Sequence, residues 1–324
     1  MRVLLWHVHG SWTTTFVQGP HTYVVPVLPD RGPDGRGRAR TWDWPAGVVE
    51  LPPDQLADPR PDVVVLQREE DAALLRRWTG LRAGVDVPAV HLEHNTPRGD
   101  VDGWRHPLAD QTRIPVVHVT SFNRAMWDTG RAPVRVIDHG VLDPGPVWTG
   151  EQPRLSMSVN EPVRRWRVAG MDLAARVADP GGAAGGVPVD VYGMGVDGLV
   201  GRDAAFAGGR HEDLPQHELH ARMATHRAYL HTYRWTSLGL SLLEAMVLGS
   251  PVLVLAATAA PEAVPAGAGA VSSDVDVLAA AARRLVADPD EAAAMGRLAR
   301  AHVLRHFGVQ RFLDDWDRLL EEVA

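Results

Sequence analysis

The sequence predicts an α/β protein with two doubly wound, Rossmann-like domains facing a central cleft. Short buried strands alternate with helical segments along the chain, which is typical of parallel sheets covered by helices. The length of 324 residues allows two domains with separate cores. A proline- and glycine-rich stretch from Pro144 to Gly150 indicates the linker between them. We therefore expect one domain over 1–148, a second over 149–306, and a last helix within 307–324.

The composition excludes several classes of protein. Hydrophobic residues make up 45% of the chain and charged residues 23%, as in soluble globular proteins. The net charge of −7 and the lack of a basic block give no reason to expect a nucleic-acid partner. Without cysteine the chain has no disulfide and no thiolate metal site. All 33 basic residues are arginine, so a phosphate must be bound by arginine or by backbone N–H groups.

The start of the chain and its hydropathy predict a cytoplasmic location. No segment approaches the roughly 18 consecutive apolar residues that a membrane-spanning helix needs, so we expect no transmembrane segment. A predicted strand begins at Arg2, directly after Met1, which leaves no room for a signal peptide. A peripheral contact with a membrane stays open.

The first half contains short apolar runs that predict buried strands. These runs are Val3–Trp6, Tyr23–Val27, Asp62–Leu66, Val87–Thr96 with its exit, and Val116–Ser121. One apolar face also predicts a helix over Glu69–Thr79. Open α/β sheets bind ligands at the carboxyl ends of their strands, so the loops that follow these runs are candidate sites.

The second half repeats the pattern with longer helices at its end. Strands are predicted at Leu155–Val159, Val187–Tyr192, Arg227–His231 and Val252–Leu255. Helices are predicted over 217–225, 275–287, 291–305 and 309–323.

The stretch Leu230–Leu255 predicts a strand, a turn, a short apolar helix and a second buried strand. Ser237 or Ser241 is expected to cap the helix, and Gly249 to end it. Glu244 is unusual because a carboxylate is almost never buried without partners. Spacing alone leaves two interpretations. Either the helix N-terminus faces an anion while Glu244 accepts hydrogen bonds from ligand hydroxyls, or the glutamate reaches water or an arginine.

Residues 236–246 read Thr-Ser-Leu-Gly-Leu-Ser-Leu-Leu-Glu-Ala-Met, and Gly-Ser-Pro-Val follows at 249–252. This resembles the nucleotide-sugar signature of retaining GT-B-fold glycosyltransferases of the family 4 type, usually Glu-Gly-Phe-Gly-Leu-x-x-Leu-Glu-Ala-Met. The resemblance implies that Glu244 contacts the donor ribose. Thr236 stands where the family has a carboxylate for the sugar hydroxyls. The implied donor-binding residues are Thr236, Ser237, Leu238, Gly239, Leu240, Ser241 and Glu244.

Three arginines before Gly170 resemble the family's Gly-Arg-x-x-x-x-Lys-Gly element, whose two basic residues contact the donor diphosphate. Aligned on Gly170, the arginine of that element falls on Arg164. The chain has no lysine, so Arg165 or Arg167 has to replace the second basic residue. Arginine can bind a diphosphate bidentately. An ordinary solvated basic cluster is the alternative.

The sequence Gly-Met-Gly-Val-Asp-Gly at 193–198 matches the dinucleotide fingerprint of oxidoreductases. We reject that interpretation because no apolar helix follows and the motif does not lie in the first βαβ unit of its domain. In the resembling family a Gly-x-Gly turn precedes the base-binding loop, here near 210–214. The resemblance thereby places Gly195 among the donor-binding residues.

Histidine and small residues mark the ends of two strands in the first half. In the resembling family a histidine ends the strand matched by Val87–Thr96 and faces the transfer site, which implies this role for His94. The loop after the first strand faces the acceptor, which assigns His9, Gly10 and Ser11 to the acceptor side. The histidines of that loop have no third and fourth ligand nearby, so we predict no metal site.

These features together predict a retaining, metal-independent glycosyltransferase that needs no cofactor besides its nucleotide-diphosphate sugar co-substrate. The acceptor is a sugar, a lipid or a small molecule, and His94 and Arg164 are the expected catalytic residues. The resemblance also implies that the last helix crosses back to the N-terminal domain. Two alternatives stay open. Thr236 and the missing lysine favour a non-catalytic GT-B protein that binds a nucleotide sugar, whereas a sugar-nucleotide epimerase on the same fold needs carboxylates such as Glu93 and Glu161.

Overall fold

The computed structural model describes residues 1–179, 181 and 185–324, and these form two compact units. Unit 1 is Met1–Gly140 together with Val309–Ala324, and unit 2 is Val141–Gly308. The division falls a few residues before the linker that proline and glycine indicated. The end of the chain belongs to the first unit.

Unit 1 is built on a seven-stranded parallel sheet with the order β3-β2-β1-β4-β5-β6-β7. Its strands are β1 (Arg2–Leu5), β2 (Thr22–Pro26), β3 (Val48–Leu51), β4 (Val63–Leu66), β5 (Ala89–Glu93), β6 (Val116–His118) and β7 (Val134–Val136). Every residue of β4 is buried, because a central parallel strand is covered on both faces.

Unit 2 is built on a six-stranded parallel sheet with the order β10-β9-β8-β11-β12-β13. Its strands are β8 (Gln152–Ser158), β9 (Val189–Gly193), β10 (Arg210–Glu212), β11 (His226–His231), β12 (Val252–Leu255) and β13 (Gly269–Ser272). This is the doubly wound order: strands are added toward one edge of the sheet up to β10 and toward the other edge from β11 onward, so the order switches between the neighbours β8 and β11.

Eleven α-helices join these strands in the described part of the chain. They are α1 (Gly10–Phe16), α2 (Glu69–Thr79), α3 (Ser121–Met126), α4 (Trp166–Ala169), α5 (Met171–Ala178), α6 (Gln216–Ala224), α7 (Leu240–Leu248), α8 (Ala260–Ala263), α9 (Val275–Ala287), α10 (Pro289–His306) and α11 (Val309–Val323). No described helix has both the length and the apolar character needed to cross a bilayer.

The fold predicted from the sequence, two Rossmann-like parallel α/β domains, is confirmed. The sequence analysis missed strands β3, β7, β10 and β13. These strands lie toward the edges of the sheets and carry polar or small residues, so they lack the continuous apolar run that marks a central strand. Strand β10 occupies the start of the segment that the resemblance assigned to a base-binding loop.

Candidate active site

The carboxyl ends of β8 and β11 lie side by side in unit 2, because these two strands are parallel neighbours. Tyr229 connects this edge to the following helix. Its hydroxyl accepts a hydrogen bond from the backbone N–H of Ser158 at 3.3 Å and donates one to Ser241 Oγ at 2.8 Å. The start of α7 is thereby held at the point of the sheet where doubly wound folds bind ligands.

The N-terminus of α7 has no side-chain cap. Gly239 is the N-cap residue and has no side chain with which to cap the helix, so the expectation that Ser237 or Ser241 is the capping residue is wrong. Ser241 is instead engaged by Tyr229. A Cβ on Gly239 would lie 2.4 Å from Cε1 of His231, so only glycine fits against that ring. The helix ends at Gly249 in the left-handed conformation, as expected.

Some of the motif residues are buried and hold α7 in place, whereas others lie nearer the surface. Ser237, Leu238 and Glu244 are buried, whereas Thr236, Gly239, Leu240 and Ser241 are partly exposed. Glu244 is only 7% exposed, in the second turn of α7. Glu244 also interacts electrostatically with His220 of α6. Burial lowers the pKa of His220, and the interaction with Glu244 offsets part of this change. A buried carboxylate at this position agrees with the sequence analysis, and its contact with a ribose stays a prediction.

Two of the three arginines before Gly170 are already paired. Arg164 is exposed and forms an ion pair with Glu161. Nη1 of Arg167 lies 2.6 Å from Asp172 Oδ2, and the same carboxylate also binds Arg234 at 2.7 Å. These pairs are accessible to solvent, which screens an ion pair and keeps it weak, so a more highly charged anion can displace either carboxylate.

Arg165 is the arginine of this group without an ion pair among the described residues. Its guanidinium lies 5.4 Å from the centre of the Tyr233 ring. The Tyr233 ring in turn stacks on His231 at 4.9 Å, and His231 lies against Gly239. A continuous series of contacts therefore connects Arg165 to the uncapped start of α7.

Gly195 lies in a turn whose backbone N–H groups already donate to a glutamate side chain. Its φ is +74°, and its N–H donates to Glu212 Oε1 at 2.5 Å. The next N–H, of Val196, donates to Glu212 Oε2 at 2.9 Å. Two short 3₁₀ turns follow instead of an α-helix, which agrees with our rejection of the oxidoreductase fingerprint. Binding of a donor by Gly195 stays a prediction and requires Glu212 to release this N–H.

His94 follows β5 in unit 1 and is surrounded by aromatic rings. Its ring lies 3.8 Å from that of His9, 5.4 Å from Trp12 and 6.0 Å from His139. Its Nε2 is buried and has no hydrogen-bond partner in the described structure. Burial lowers the pKa of His94, and the adjacent His9 and His139 lower it further. The imidazole is therefore neutral near pH 7 and can donate a hydrogen bond to a ligand or accept one from it.

The acceptor-side residues do not form a loop, contrary to the sequence analysis. His9 is the N-cap residue of α1, and Gly10 and Ser11 form the first turn of that helix. A Cβ on Gly10 would lie 3.4 Å from Nε1 of Trp42, so the helix start is packed under this side chain. The sequence analysis did not include His139, which lies in the segment after β7, a strand of the same sheet as β5.

Comparison with known proteins places this architecture. Residues 175–318 match a family model described as glycosyl transferase-like. Sucrose-phosphate synthase from Thermosynechococcus elongatus aligns over 99% of this chain and 98% of its own, with a TM-score of 0.68 and 14% identity. Anabaena HepE in complex with UDP-glucose aligns over 99% and 100%, with a TM-score of 0.68 and 15% identity. The fold is GT-B.

A longer GT-B protein shows the same likeness over part of its length. A TarM variant from S. aureus, in a complex that includes UDP, aligns over 80% of this chain and 55% of its own, with a TM-score of 0.59 and 14% identity. This chain therefore spans about half of TarM. No curated protein sequence matches it. The glycosyl transferase-like match covers β9 to β13 and the whole motif at 236–246, but not β8 or the arginines before Gly170.

Proposed function

We propose that this GT-B protein is a retaining glycosyltransferase that uses a nucleotide-diphosphate sugar and no metal in the transfer step. One observation carries the proposal: the motif at 236–246 forms a helix start without a side-chain cap at the carboxyl edge of the unit 2 sheet, with Glu244 buried one turn further on. The UDP-glucose complex of HepE and the UDP complex of TarM support a nucleotide sugar as the ligand class.

The diphosphate of the donor binds at the start of α7. Backbone N–H groups and the helix dipole favour a negative charge there. Arg165 supplies the positive charge, because it forms no ion pair among the described residues and is connected to this helix start through Tyr233 and His231. Arg164 also binds the diphosphate once its ion pair with Glu161 has broken. Charge that develops on the leaving diphosphate is stabilised by the same groups.

The sugar is transferred with retention of configuration. The bond between the anomeric carbon and the phosphate oxygen breaks, the acceptor hydroxyl forms the new bond on the same face, and its proton passes to the leaving phosphate. Glu244 holds the ribose, and neutral His94 hydrogen-bonds the sugar or orients the acceptor. Thr236 offers the sugar a hydroxyl in place of a carboxylate, so the sugar hydroxyls are bound more weakly than in family members with glutamate there.

The alternative activities make different demands on the carboxylates. An epimerase needs acid and base groups, yet Glu161 is paired with Arg164 and Glu93 is buried among histidines. A non-catalytic binder remains the main competitor, because Thr236 and the lack of lysine depart from the family pattern. Slow hydrolysis of the bound donor in the absence of acceptor distinguishes a transferase from a binder, since only the transferase cleaves the sugar–phosphate bond.

Thermal unfolding with a panel of uridine, guanosine, adenosine and thymidine diphosphate sugars tests the donor site. A ligand at 100 times its Kd stabilises the folded state by about 2.7 kcal/mol. We expect one nucleotide to raise the Tm of the wild-type chain. Glu244→Gln and Arg165→Gln should each abolish this increase.

The matched control is Arg176→Gln, which removes an exposed arginine of unit 2 paired with Asp276. It should keep the full increase in Tm. The assignment of the donor site fails if Glu244→Gln and Arg165→Gln respond to the nucleotide sugar as the wild type does.

A further inference from the structure

Buried histidines surround Glu93 in unit 1, apart from the residues assigned to donor and acceptor. His91 and Glu93 are two residues apart on β5 and so lie on the same face of the sheet. His106 comes from the loop between β5 and β6. The three side chains are only 6%, 10% and 1% exposed. One ligand atom from each lies within 4.8 Å of the other two.

One distance in this cluster matches the spacing of two ligand atoms on a tetrahedral metal ion, and the other is longer than a hydrogen bond. Glu93 Oε2 lies 3.3 Å from Nε2 of His106 and 3.8 Å from Nε2 of His91. Good N–H···O hydrogen bonds span about 2.7–3.2 Å. Ligand atoms at about 2.0–2.1 Å from a tetrahedral zinc ion lie about 3.3 Å from one another.

The cluster also has unused hydrogen-bonding capacity. Nε2 of His106 and both ring nitrogens of His118 are buried without a hydrogen-bond partner in the described structure. His118 lies on β6 directly beside Glu93 in the strand register. Buried polar atoms rarely lack partners, and a bound ion is one reason for such atoms.

We propose that His91, Glu93 and His106 bind one zinc-type divalent cation. Two histidines and one glutamate form a known ligand set for zinc, with the fourth position left to water or another side chain. The site is buried and belongs to unit 1, so the ion is structural and does not depend on the proposed transfer reaction. It stabilises the end of β5, from which His94 continues.

Binding requires one local rearrangement. Nδ1 of His106 accepts the backbone N–H of Leu108 at 3.0 Å, so Nε2 carries the ring proton in the metal-free state. Binding of the cation at Nε2 requires the other tautomer of the neutral ring: the proton leaves Nε2 and one proton binds at Nδ1, with no net release. The N–H of Leu108 then loses its acceptor. The short turn in which Ala109 N–H bonds to His106 O at 2.9 Å has to move for this to happen.

Metal analysis of the purified full chain after loading with Zn²⁺ and removal of excess tests the proposal. We expect about one zinc per chain in the wild type and loss of at least nine-tenths of it in Glu93→Gln and in His106→Gln. Gln at position 93 keeps an oxygen for the N–H of Asn95, which Glu93 accepts at 2.6 Å, so the turn after β5 should be preserved.

The control is His302→Gln, because His302 and His306 form a surface pair with ring centres 4.4 Å apart that could bind metal adventitiously. Zinc content should stay at one per chain in this variant. A second measurement needs no variant: Co²⁺ added to the metal-free wild type should produce the intense visible absorption of tetrahedral cobalt. The proposal is overturned if the wild type binds no metal, if Glu93→Gln keeps it, or if His302→Gln loses it.

Discussion

At the amino end of β9, Asp190 binds two basic side chains within unit 2. Its Oδ2 lies 2.9 Å from Nε2 of His226, and its Oδ1 accepts from Nε of Arg154 at 3.0 Å. The other ring nitrogen of His226 donates to the carbonyl of Arg222 at 2.9 Å. This network connects β8, β9 and β11 at the end of the sheet opposite the donor motif, so its function is structural.

We expect Asp190→Asn to lower the free energy of unfolding by about 2–3 kcal/mol at pH 7, because it leaves Arg154 and His226 without their charge partner. Burial raises the pKa of Asp190, but hydrogen bonds from His226 and Arg154 outweigh it and lower the pKa to about 2. A carboxylate with a lowered pKa stabilises the fold above its unfolded pKa, near 3.9, and loses this contribution as the pH falls toward the folded value. Urea unfolding at several pH values should therefore show the gap between wild type and variant narrowing below about pH 4.

The control for this network is Asp276→Asn, whose side chain is 80% exposed in its pair with Arg176. It should change stability by less than about 0.5 kcal/mol. Equal effects of the two substitutions at pH 7 would contradict the structural role of Asp190.

At the scale of elements, Gly80 and Gly170 both have a left-handed backbone, but only Gly170 is also packed closely against another segment. Gly80 ends α2 with φ +75°, and nothing lies within 4 Å of the position of a Cβ. Gly170 lies between α4 and α5 with φ +70°, but a Cβ there would lie 1.9 Å from the carbonyl oxygen of Thr232. The α4–α5 corner therefore packs directly on the backbone that follows β11.

We predict that Gly80→Ala costs about 1–2 kcal/mol, the penalty of a left-handed non-glycine residue. Gly170→Ala should cost at least about 2 kcal/mol more, since the backbone of Thr232 has to move as well. Chemical denaturation of both variants measures the difference. Because the arginines of the proposed donor site precede Gly170, this variant should also bind the nucleotide sugar more weakly. Similar stabilities for the two variants would show that the close approach at Gly170 carries no energy.

At the scale of the whole molecule, the last helix of the chain belongs to the first unit. Trp316 of α11 is buried, with its ring centre 5.4 Å from Trp12 and 5.1 Å from Phe16, both on α1. Nε2 of His21 and Oδ1 of Asp317 add an ion pair at 3.1 Å. The core of unit 1 is therefore complete only when the chain has passed through unit 2 and returned.

We expect Trp316→Ala to destabilise unit 1 by about 3–5 kcal/mol, the usual cost of removing a buried large aromatic side chain. Hydrogen exchange should become faster in β1 and β2, while β8 and β9 of unit 2 keep their protection. Glu321→Ala, on the exposed face of the same helix, should leave both units unchanged. Faster exchange throughout both units would mean that α11 does not act on unit 1 alone.

The success of the sequence analysis differs between elements for local reasons. Helix α2 has the predicted bounds, because acidic residues at its start and Gly80 at its end are signals within a few residues of the helix. The bounds of β12 were also predicted, since four consecutive apolar residues lie between turn residues. Strand β10 was missed because its sequence, Arg-His-Glu, forms a strand only beside β9.

The sequence by itself determined the two doubly wound units and located the glycine turn and Glu244 within a short apolar helix, because periodicity, helix stops and motif spacing are properties of neighbouring residues. Only the tertiary structure decided that, among the described residues, Arg165 forms no ion pair, that Glu212 occupies the turn at Gly195, and that Glu93 meets His91 and His106. Each of these depends on which side chains compete for the same charge or hydrogen bond in three dimensions. The order of residues along the chain does not show which partner is bound.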